Sequence, residues 1–522
     1  MASFYLSIKA SRRLHDKMTL AVLRSKIQFF DTNPNGHILN RFSSDVGISD
    51  DQIPSSFNDT LSMGFIVLGG VITTAIVMPF LLLAFPPLIF YFFRLRATFV
   101  KASRELKMIE GAARSPICSM MTESVTGIAS IRSNGSAEYF MSKFEYVHDA
   151  HSRAFFGFFS TTRWLNFRLE AITIALLALA SLLAVLVNDR DWYHVNPSII
   201  GLSLTLLLQL SGLLQWFTRQ SSELINQMVA IERVAAFTEL PSEAPLELSQ
   251  DKNLKHWPAQ GRVQLSDLSV RYRSDLPIAL SGVSFDVESG ERVGIVGRTG
   301  SGKSTVVEAL FRLLEAETGV LSLDGLDITK VGLHKLRRGM SVIPQTPVLF
   351  SGCSIRENLD PFSKYHDTVI MKSLADVQMS DAVTALPDGI HTMIAEGGSN
   401  LSCGEKQLIC VARAILQKAK VIVLDEPTAN VDYATDALLH HALVTSFPGT
   451  SVIAVAHRLD TIIDYDKIVV IDGGRLLECG SPHELLEHGE HFRSMVDETG
   501  TTMALELRAR ALEHYSSRHP TQ

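Results

Sequence analysis

The chain has 522 residues, a formal net charge of −7, and a composition that is 46% hydrophobic and 20% charged. This length predicts several domains of roughly 100–200 residues each, and the mean hydropathy of +0.17 indicates membrane-spanning segments. The negative charge argues against nucleic acid as a partner, because phosphate binding needs a concentrated basic surface. The 5 cysteines lack paired or metal-type spacing, which predicts neither a disulfide framework nor a zinc site. Residues 1–20 show no signal-peptide pattern.

Long apolar runs in the first half are typical of membrane-spanning helices. We place four spans at about residues 61–78, 79–95, 170–188 and 196–218, each near the ~20 residues that cross a bilayer. Buried core helices are the alternative for such runs. Basic residues lie before the first run and after the second, which places both chain ends and residues 94–168 in the cytosol. The polar segments there predict helices that continue beyond the membrane.

The pattern changes in the second half of the chain. An amphipathic stretch ends near Pro241, and a linker dotted with proline and charge follows. After Gly261, β-branched runs alternate with helical patterns, which predicts a mostly parallel α/β domain. We therefore predict a transmembrane domain at 1–240, a linker at 241–260, an α/β domain at 261–499, and a loosely held polar tail at 500–522.

A glycine-rich segment carries the strongest chemical signal. The phosphate-binding pattern G-x-x-x-x-G-K-[ST] is matched by the run Gly297-Arg298-Thr299-Gly300-Ser301-Gly302-Lys303-Ser304-Thr305. An apolar strand precedes this run and a helix follows it, as a phosphate-binding loop (P-loop) requires. Backbone N–H groups and the helix N-terminus would face the phosphates. Lys303 is predicted to reach the β- and γ-phosphates of ATP, and the Ser304 hydroxyl to hold Mg²⁺.

Two adjacent acids follow another apolar run, at 421–424. Asp425 is predicted to hold Mg²⁺, and Glu426 to polarise a water molecule for attack on the γ-phosphate. An ordinary buried strand that ends at a helix cap would explain one acid but not two. Upstream, in the run Leu401-Ser402-Cys403-Gly404-Glu405, Ser402 and Gly404 stand at a helix N-terminus that could bind an anion. Alone, that pattern is usually only an N-cap.

The order of these motifs resembles the nucleotide-binding domain of an ABC transporter. Residues 270–273, 294–300 and 456–462 resemble the second nucleotide-binding domain of the multidrug-resistance-associated (C) subfamily. The first half of the chain resembles the membrane domain of the same subfamily at residues 29–31, 40–43, 115–117 and 215–219. The likeness therefore covers about residues 11–496. The resemblance implies a helical transmembrane bundle of the ABC exporter type followed by an α/β P-loop NTPase domain.

The resemblance also implies roles for residues whose own signal is weak. Tyr272 would stack on adenine, although the residues alone favour a half-buried strand position. Gln345 would sense Mg²⁺ and contact the membrane domain. His457 would contact the γ-phosphate, although a single histidine after a strand is more often structural. Asp432 would join the two nucleotide domains.

Two features depart from the family pattern. The signature usually reads LSGGQ, and here Cys403 and Glu405 replace a glycine and the glutamine. An acid near the γ-phosphate of the opposite ATP site costs electrostatic stabilisation, so that site is predicted to bind ATP and turn over slowly. The site built on Lys303 and Glu426 is predicted to hydrolyse ATP. Only four spans are visible where the family has six, which predicts a carboxyl-terminal fragment, a partial gene model, or a half that needs a partner.

These observations predict an ATP-dependent efflux transporter that exports organic anions, conjugates or xenobiotics across the plasma or vacuolar membrane, with ATP and Mg²⁺ as cofactors. Its partners would be the bilayer and a second nucleotide-binding and transmembrane domain. Trp216 and Arg219 are predicted to line a cavity for an amphipathic organic anion, with interfacial snorkelling as the alternative. Residues 33–42 and 115–128 are predicted to contact the nucleotide domain. A channel-like or regulatory protein and an inactive fragment are the alternative functions.

Overall fold

The computed structural model describes residues 2–189, 197–426, 433–456 and 458–518. The chain divides into two compact units. The first comprises Met1–Arg24 and Asn33–Leu240, and the second comprises Ser25–Thr32 and Pro241–Gln522. The division at Leu240 follows the end of the amphipathic pattern. The inclusion of Ser25–Thr32 in the second unit has no counterpart in the sequence analysis.

The described part of the first unit is built from helices. They are α1 (Ala2–Leu23), α3 (Asn35–Asn40), α4 (Ile53–Val77), α5 (Phe85–Thr126), α6 (Ile128–Ser133), α7 (Ala137–Asp189) and α8 (Pro197–Thr238), while the short α2 (Ile27–Thr32) belongs to the second unit. Two π-helical segments, Arg41–Asp45 and Ile48–Gln52, connect α3 to α4. A 3₁₀ turn at Pro79–Leu83 separates α4 from α5, because proline and Met78 interrupt the helix there.

Among the described residues, four helices are long and apolar enough to cross a membrane. They run over Asn35–Val77, Leu81–Thr126, Ala137–Val185 and Ser198–Thr238. The apolar runs of the sequence lie on these four helices. Each helix has more than 40 residues, whereas about 20 residues cross a bilayer. The helices therefore extend well beyond the apolar runs, as the polar flanking segments predict.

Apolar side chains hold the four long helices together in two clusters. One contains Leu81, Phe85 and Leu176, and the other contains Phe99 and Leu169. These residues recur at helical spacing on the faces that meet, so their burial stabilises the bundle by the hydrophobic effect.

The second unit contains two sheets. A four-stranded antiparallel sheet has the order β2-β1-β4-β5, and a six-stranded sheet has the order β10-β9-β3-β8-β7-β6. The strands are β1 (Val263–Arg271), β2 (Ile278–Val287), β3 (Arg292–Val296), β4 (Ala316–Leu323), β5 (Leu326–Asp327), β6 (Met340–Ile343), β7 (Val421–Asp425), β8 (Ser451–Val455), β9 (Lys467–Asp472) and β10 (Arg475–Gly480). The predicted parallel sheet is thus joined by an antiparallel one.

The centre of the larger sheet positions the site. Strands β3, β7 and β8 run parallel, with β8 between the other two. All three are almost entirely buried, which is why they read as continuous apolar runs. Because their carboxyl ends meet at one edge, the P-loop after β3 and the acids at the end of β7 come together there.

Helices cover the sheets of the second unit. They are α9 (Lys303–Leu310), α10 (Leu333–Gly339), α11 (Ile355–Leu359), α12 (Asp367–Asp376), α13 (Ser380–Thr384), α14 (Cys403–Gln417), α15 (Tyr433–Thr445), α16 (Pro482–His488), α17 (His491–Asp497) and α18 (Thr501–Arg518). The helix α18 differs from the loosely held tail that the sequence predicts. Its Ala504, Leu507 and Ala511 recur every three or four residues and are buried in the main core of the unit.

The segment between Pro241 and Arg262 is also fixed to the second unit. Trp257 donates an indole hydrogen bond to the carbonyl of Leu323, at 3.1 Å. Glu243 forms a bidentate ion pair with Arg337. The predicted linker is therefore docked along this unit rather than free.

Candidate nucleotide-binding site

The P-loop adopts a backbone that requires glycine. Gly302, the N-cap of α9, has a φ of 104°. A Cβ atom there would lie 2.8 Å from Leu280 Cδ2 and 3.0 Å from the Ala279 carbonyl. A side chain at this position would meet both steric and backbone strain. The glycine lets the loop turn tightly into the N-terminus of α9.

Within the loop, side chains divide between buried and exposed positions. Ser301, Lys303 and Thr305 are buried, whereas Thr299 and Ser304 are exposed. The Ser301 Oγ atom has no hydrogen-bond partner among the described residues although it is buried. An unpaired buried hydroxyl costs free energy, and a phosphate oxygen would satisfy it.

The Lys303 ammonium is held at the loop. Its Nζ atom donates hydrogen bonds to the carbonyls of Gly297, at 2.8 Å, and Arg298, at 3.0 Å. Burial lowers the pKa of Lys303, and the nearby Glu426 and Asp425 carboxylates oppose that shift. The cation and the two acids are therefore close enough to interact electrostatically.

Asp425 and Glu426 lie next to each other at the end of β7. Burial raises the pKa of Asp425, Glu426 raises it further, and Lys303 partly offsets both effects. Glu426 has a φ of 47°, and its N–H donates to the Val455 carbonyl of β8 at 3.1 Å. This bond holds Glu426 in the left-handed conformation at the sheet edge.

Gln345 reaches Glu426 from the segment after β6. Its Nε2 atom donates a hydrogen bond to Glu426 Oε2 at 3.0 Å. The structure thus brings together four residues that the sequence predicted as site residues, Lys303, Gln345, Asp425 and Glu426.

The residues predicted to hold Mg²⁺ fit that ion. Ser304, Gln345 and Asp425 offer hydroxyl, amide and carboxylate oxygens, the ligand type that Mg²⁺ prefers. Burial raises the pKa of Asp425, and the Glu426 carboxylate raises it further; a divalent cation beside the two acids would favour the ionised form.

Tyr272 follows β1 and lies against α9. Its hydroxyl is 3.0 Å from Thr305 Oγ1, within hydrogen-bond distance. Burial raises the pKa of the Tyr272 phenol. The ring packs against the core of the unit. Tyr272 is therefore half-buried, as the residues alone suggest, but it lies one residue past the end of the strand. Stacking on adenine remains a prediction.

Residues of α2 that the sequence motifs did not indicate lie close to Tyr272. Gln28 of α2 donates a hydrogen bond to the Tyr272 carbonyl, and Ile27 packs against the core of the second unit. Burial raises the pKa of Glu308, and Asp31 of α2 contributes to the shift. The motif at residues 29–31 is the sequence signal that could have pointed to α2 as a neighbour of Tyr272.

Residues 33–42 and 115–128, which are predicted to contact the nucleotide domain, belong to the first unit. Their contact with that domain stays a prediction.

The signature residues form a capping box at the start of α14. Ser402 Oγ accepts a hydrogen bond from the Glu405 N–H at 3.2 Å, and the Glu405 carboxylate accepts one from the Ser402 N–H at 2.7 Å. Gly404 packs tightly on α15, because a Cβ there would lie 2.6 Å from Thr435 Cγ2. These contacts are local to α14 and α15, and they give Glu405 a structural role.

Two predicted site residues, His457 and Asp432, lie outside the described residues.

The predicted substrate residues, Trp216 and Arg219, lie within the part of the chain that the structure describes. The Arg219 guanidinium lies 5.6 Å from the centre of the Trp216 ring, and both side chains are exposed. A cavity of about 290 Å³ in the first unit has an apolar lining that includes Phe217 but neither Trp216 nor Arg219.

Comparison with known proteins identifies the family. Residues 280–429 match the family described as ABC transporter, and residues 1–212 match the ABC transporter transmembrane region. The chain belongs to the ABC transporter family. It therefore combines a helical transmembrane region with an α/β ATP-binding domain, and it is an integral membrane protein. The resemblance seen in the sequence is confirmed.

The ABC transporter chain is similar to members of sub-family C. It is 40% identical to mouse ATP-binding cassette sub-family C member 4 over 517 residues, which is 99% of this chain and 38% of the relative. It is 40% identical to ABC transporter C family member 8 of Dictyostelium discoideum over 92% of this chain and 30% of that relative. For rat sub-family C member 2 the identity is 37%, over 95% and 32% of the two chains. The chain thus spans less than two fifths of the length of these relatives.

Proposed function

We propose that this chain is the part of an ABC exporter that couples ATP hydrolysis to the efflux of organic anions, conjugates or xenobiotics. The convergence of Lys303, Gln345, Asp425 and Glu426 at one edge of the sheet carries the proposal. Phosphoryl transfer needs a cation on the phosphates and a group that orients the attacking water. Both are present, in a chain whose first unit has the length and apolarity to span a membrane.

Each residue has a distinct part in this proposal. Lys303 exchanges its contacts with the loop carbonyls for the β- and γ-phosphates. Glu426 orients water for attack on the γ-phosphate, which requires Gln345 to release the carboxylate. Ser304, Asp425 and Gln345 would hold Mg²⁺, which when bound neutralises phosphate charge. His457 would contact the γ-phosphate, and Tyr272 the adenine.

Hydrolysis in this proposal needs a second nucleotide-binding domain. The signature of one domain completes the ATP site of the other, so Ser402 and Gly404 serve the partner's ATP. The partner is either another part of a longer protein or a second copy, and the similar relatives are more than twice as long as this chain. The nucleotide domain would face the cytosol, and the bundle would lie in the plasma or vacuolar membrane.

Vanadate-sensitive ATP hydrolysis by the purified chain in lipid tests the proposal, with Glu426→Gln as the control. Activity that the substitution abolishes would support it, and a screen of amphipathic anions for stimulation would follow, repeated in Trp216→Ala and Arg219→Ala. ATP binding without hydrolysis would mean that catalysis needs the partner domain. Hydrolysis that never responds to a transported compound would favour the channel-like or regulatory alternative.

A further inference from the structure

An apolar cavity lies among four helices of the first unit. Its volume is about 290 Å³, and α4, α5, α7 and α8 each contribute to its lining. The lining carries a single side-chain hydroxyl among its described residues, that of Thr173, which donates a hydrogen bond to the Leu169 carbonyl at 2.9 Å. The cavity therefore offers mainly hydrocarbon contacts. It favours an apolar occupant over water, which needs polar partners.

The cavity begins near the span ends that the basic flanking segments predict to be cytosolic. Its lining includes residues 64–71 of α4, Phe92 and Phe93 of α5, Leu169 of α7 and Phe217 of α8. Each of these lies close to the cytosolic end of its predicted span. With this orientation the cavity lies in the cytosolic half of the bilayer, which is the leaflet that carries anionic lipids.

Arg96 stands at the cytosolic end of this cavity. It follows the lining residue Phe92 by four positions on α5, so the two side chains share one face of the helix. Helical side chains lean towards the N-terminus of their helix, which for Arg96 is the direction of the cavity. The Arg96 Nη2 atom donates a hydrogen bond to Ser221 Oγ at 3.2 Å, and Ser221 follows the lining residue Phe217 by four positions on α8. The guanidinium therefore lies about one helical turn beyond the lining.

The hydrogen-bonding capacity of this polar end is not filled. The Arg96 Nε atom is buried without a hydrogen-bond partner, and Arg96 forms no ion pair with any carboxylate that the structure describes. Ser221 donates its own proton to the Thr218 carbonyl at 3.0 Å. The buried Thr218 hydroxyl also lacks a partner within the described ranges. Unpaired buried donors cost free energy, and more so on a charged group. An anionic oxygen would satisfy the guanidinium, whose Nε and Nη2 atoms form a two-donor fork.

We propose that Arg96 and the apolar cavity form a binding site for an anionic phospholipid of the cytosolic leaflet. The headgroup lies on Arg96, because a single unpaired cation favours a headgroup with net negative charge. One acyl chain enters the cavity. Leu68, Ile89 and Phe93 line the cavity and are also exposed on the unit, so a lipid chain can enter between them.

This site differs from the predicted substrate residues. Neither Trp216 nor Arg219 lines the cavity, and the Arg219 guanidinium already lies against the Trp216 ring. Arg96 has no such ring contact with any described residue. The proposal goes beyond the proposed efflux function and does not depend on ATP hydrolysis. It depends on the predicted orientation of the spans.

Photocrosslinking of the full chain in lipid bilayers tests the site. The probe is phosphatidic acid with a diazirine in one acyl chain, and phosphatidylcholine with the same chain is the comparison. The variants are Arg96→Gln, Gly64→Leu and the matched control Arg94→Gln. Arg94 is exposed on the same helix, so its substitution removes the same charge at nearly the same depth. Gly64 lines the cavity, and a Cβ there would lie 3.4 Å from Phe217 Cε2, an ordinary contact. A leucine would therefore narrow the cavity.

In the wild type, phosphatidic acid should label residues 85–93 and 210–217 roughly fivefold more than phosphatidylcholine, because one basic residue near the membrane surface contributes a preference of that size. Arg96→Gln should reduce labelling by phosphatidic acid to that by phosphatidylcholine, whereas Arg94→Gln should retain most of it. Gly64→Leu should lower labelling by both probes, since it acts on the chain and not on the headgroup.

Equal labelling by the two probes in the wild type would overturn the proposal, as would label confined to other helices. Equal losses in Arg96→Gln and Arg94→Gln would also overturn it, because interfacial charge alone would then explain the preference. A probe that laurate displaces and unlabelled phosphatidic acid does not would assign the cavity to a soluble anion instead. Competition in the wild type decides if Arg96→Gln fails to fold: phosphatidic acid should displace the probe roughly fivefold better than phosphatidylcholine, and equal displacement refutes the site.

Discussion

The side-chain amide of Gln345 donates a hydrogen bond to the Glu426 carboxylate at 3.0 Å, across 81 residues of sequence. Gln345 follows β6 and Glu426 follows β7, which are parallel neighbours in the sheet. One carboxylate oxygen of Glu426 is thereby engaged, and the site is held in an arrangement that must change before this oxygen can orient water. Movement of Gln345 is therefore a control point for hydrolysis in the proposed mechanism.

Glu426→Gln should lower ATP turnover by roughly 10²–10⁴-fold, because it removes a general base. ATP affinity should change little, since Lys303 and the P-loop remain. Turnover and equilibrium ATP binding, measured on the same preparation, check this expectation. A variant that hydrolyses ATP at the wild-type rate would exclude Glu426 as the base.

Substitution of Tyr272 separates stacking from hydrogen bonding. Tyr272→Ala should weaken ATP binding roughly tenfold, because stacking of a base on an aromatic ring contributes about 1–3 kcal/mol. Tyr272→Phe keeps the ring and removes the hydroxyl that lies 3.0 Å from Thr305 Oγ1, so it should bind ATP almost as the wild type does. Equal losses in both variants would show that the hydroxyl, and not stacking, is what matters.

Asp425→Asn should stabilise the nucleotide-free chain at neutral pH and abolish Mg²⁺-dependent hydrolysis. Burial raises the pKa of Asp425, so ionisation of this carboxyl costs stability in the folded state. The cost is absent below the unfolded pKa of about 3.9 and is complete above the raised folded pKa. The gain should not exceed about 1 kcal/mol, because water screens a half-buried group.

Thermal unfolding of Asp425→Asn and wild type at pH 7 and at acid pH measures this effect. The difference between the two proteins should shrink as the pH falls through the folded pKa and should disappear below the unfolded one. A variant that is less stable than the wild type at pH 7 would contradict the expectation.

Glu405→Gln should strengthen ATP binding at the site completed by this signature. In the proposed two-domain arrangement it removes a negative charge near the γ-phosphate, which would be worth about 1 kcal/mol or more at short range. Glutamine preserves the capping box with Ser402, so α14 should remain intact, whereas Glu405→Ala loses the cap and is the control for helix stability. Nucleotide trapping in the assembled two-domain transporter measures the effect. Trapping equal to that of the wild type would mean that the carboxylate does not reach the nucleotide.

Local chemistry in the sequence was enough to predict the centre of the site. The P-loop, the acids after β7 and the four long apolar runs each consist of neighbouring residues whose spacing already specifies a glycine turn, a doubly buried strand or a membrane-length helix. The parallel sheet then follows from alternating strands and helices, and it brings Lys303 and Asp425 to one edge.

Other features depended on contacts between residues far apart in sequence. In the sequence, helix α2 follows α1 and precedes α3, which both belong to the first unit, yet α2 contacts Tyr272 through Gln28. No local pattern specifies which unit a six-residue helix joins. Helix α18 is rich in charge, so its composition suggested a free tail, and its position depends on three small or apolar residues that fit the core and on Arg510 and Arg518. Sequence alone was enough to predict the groups that we propose bind phosphate, because their chemistry is local. Tertiary structure determined which unit α2 joins and where α18 docks, because shape complementarity and long-range pairing appear only when the chain is folded.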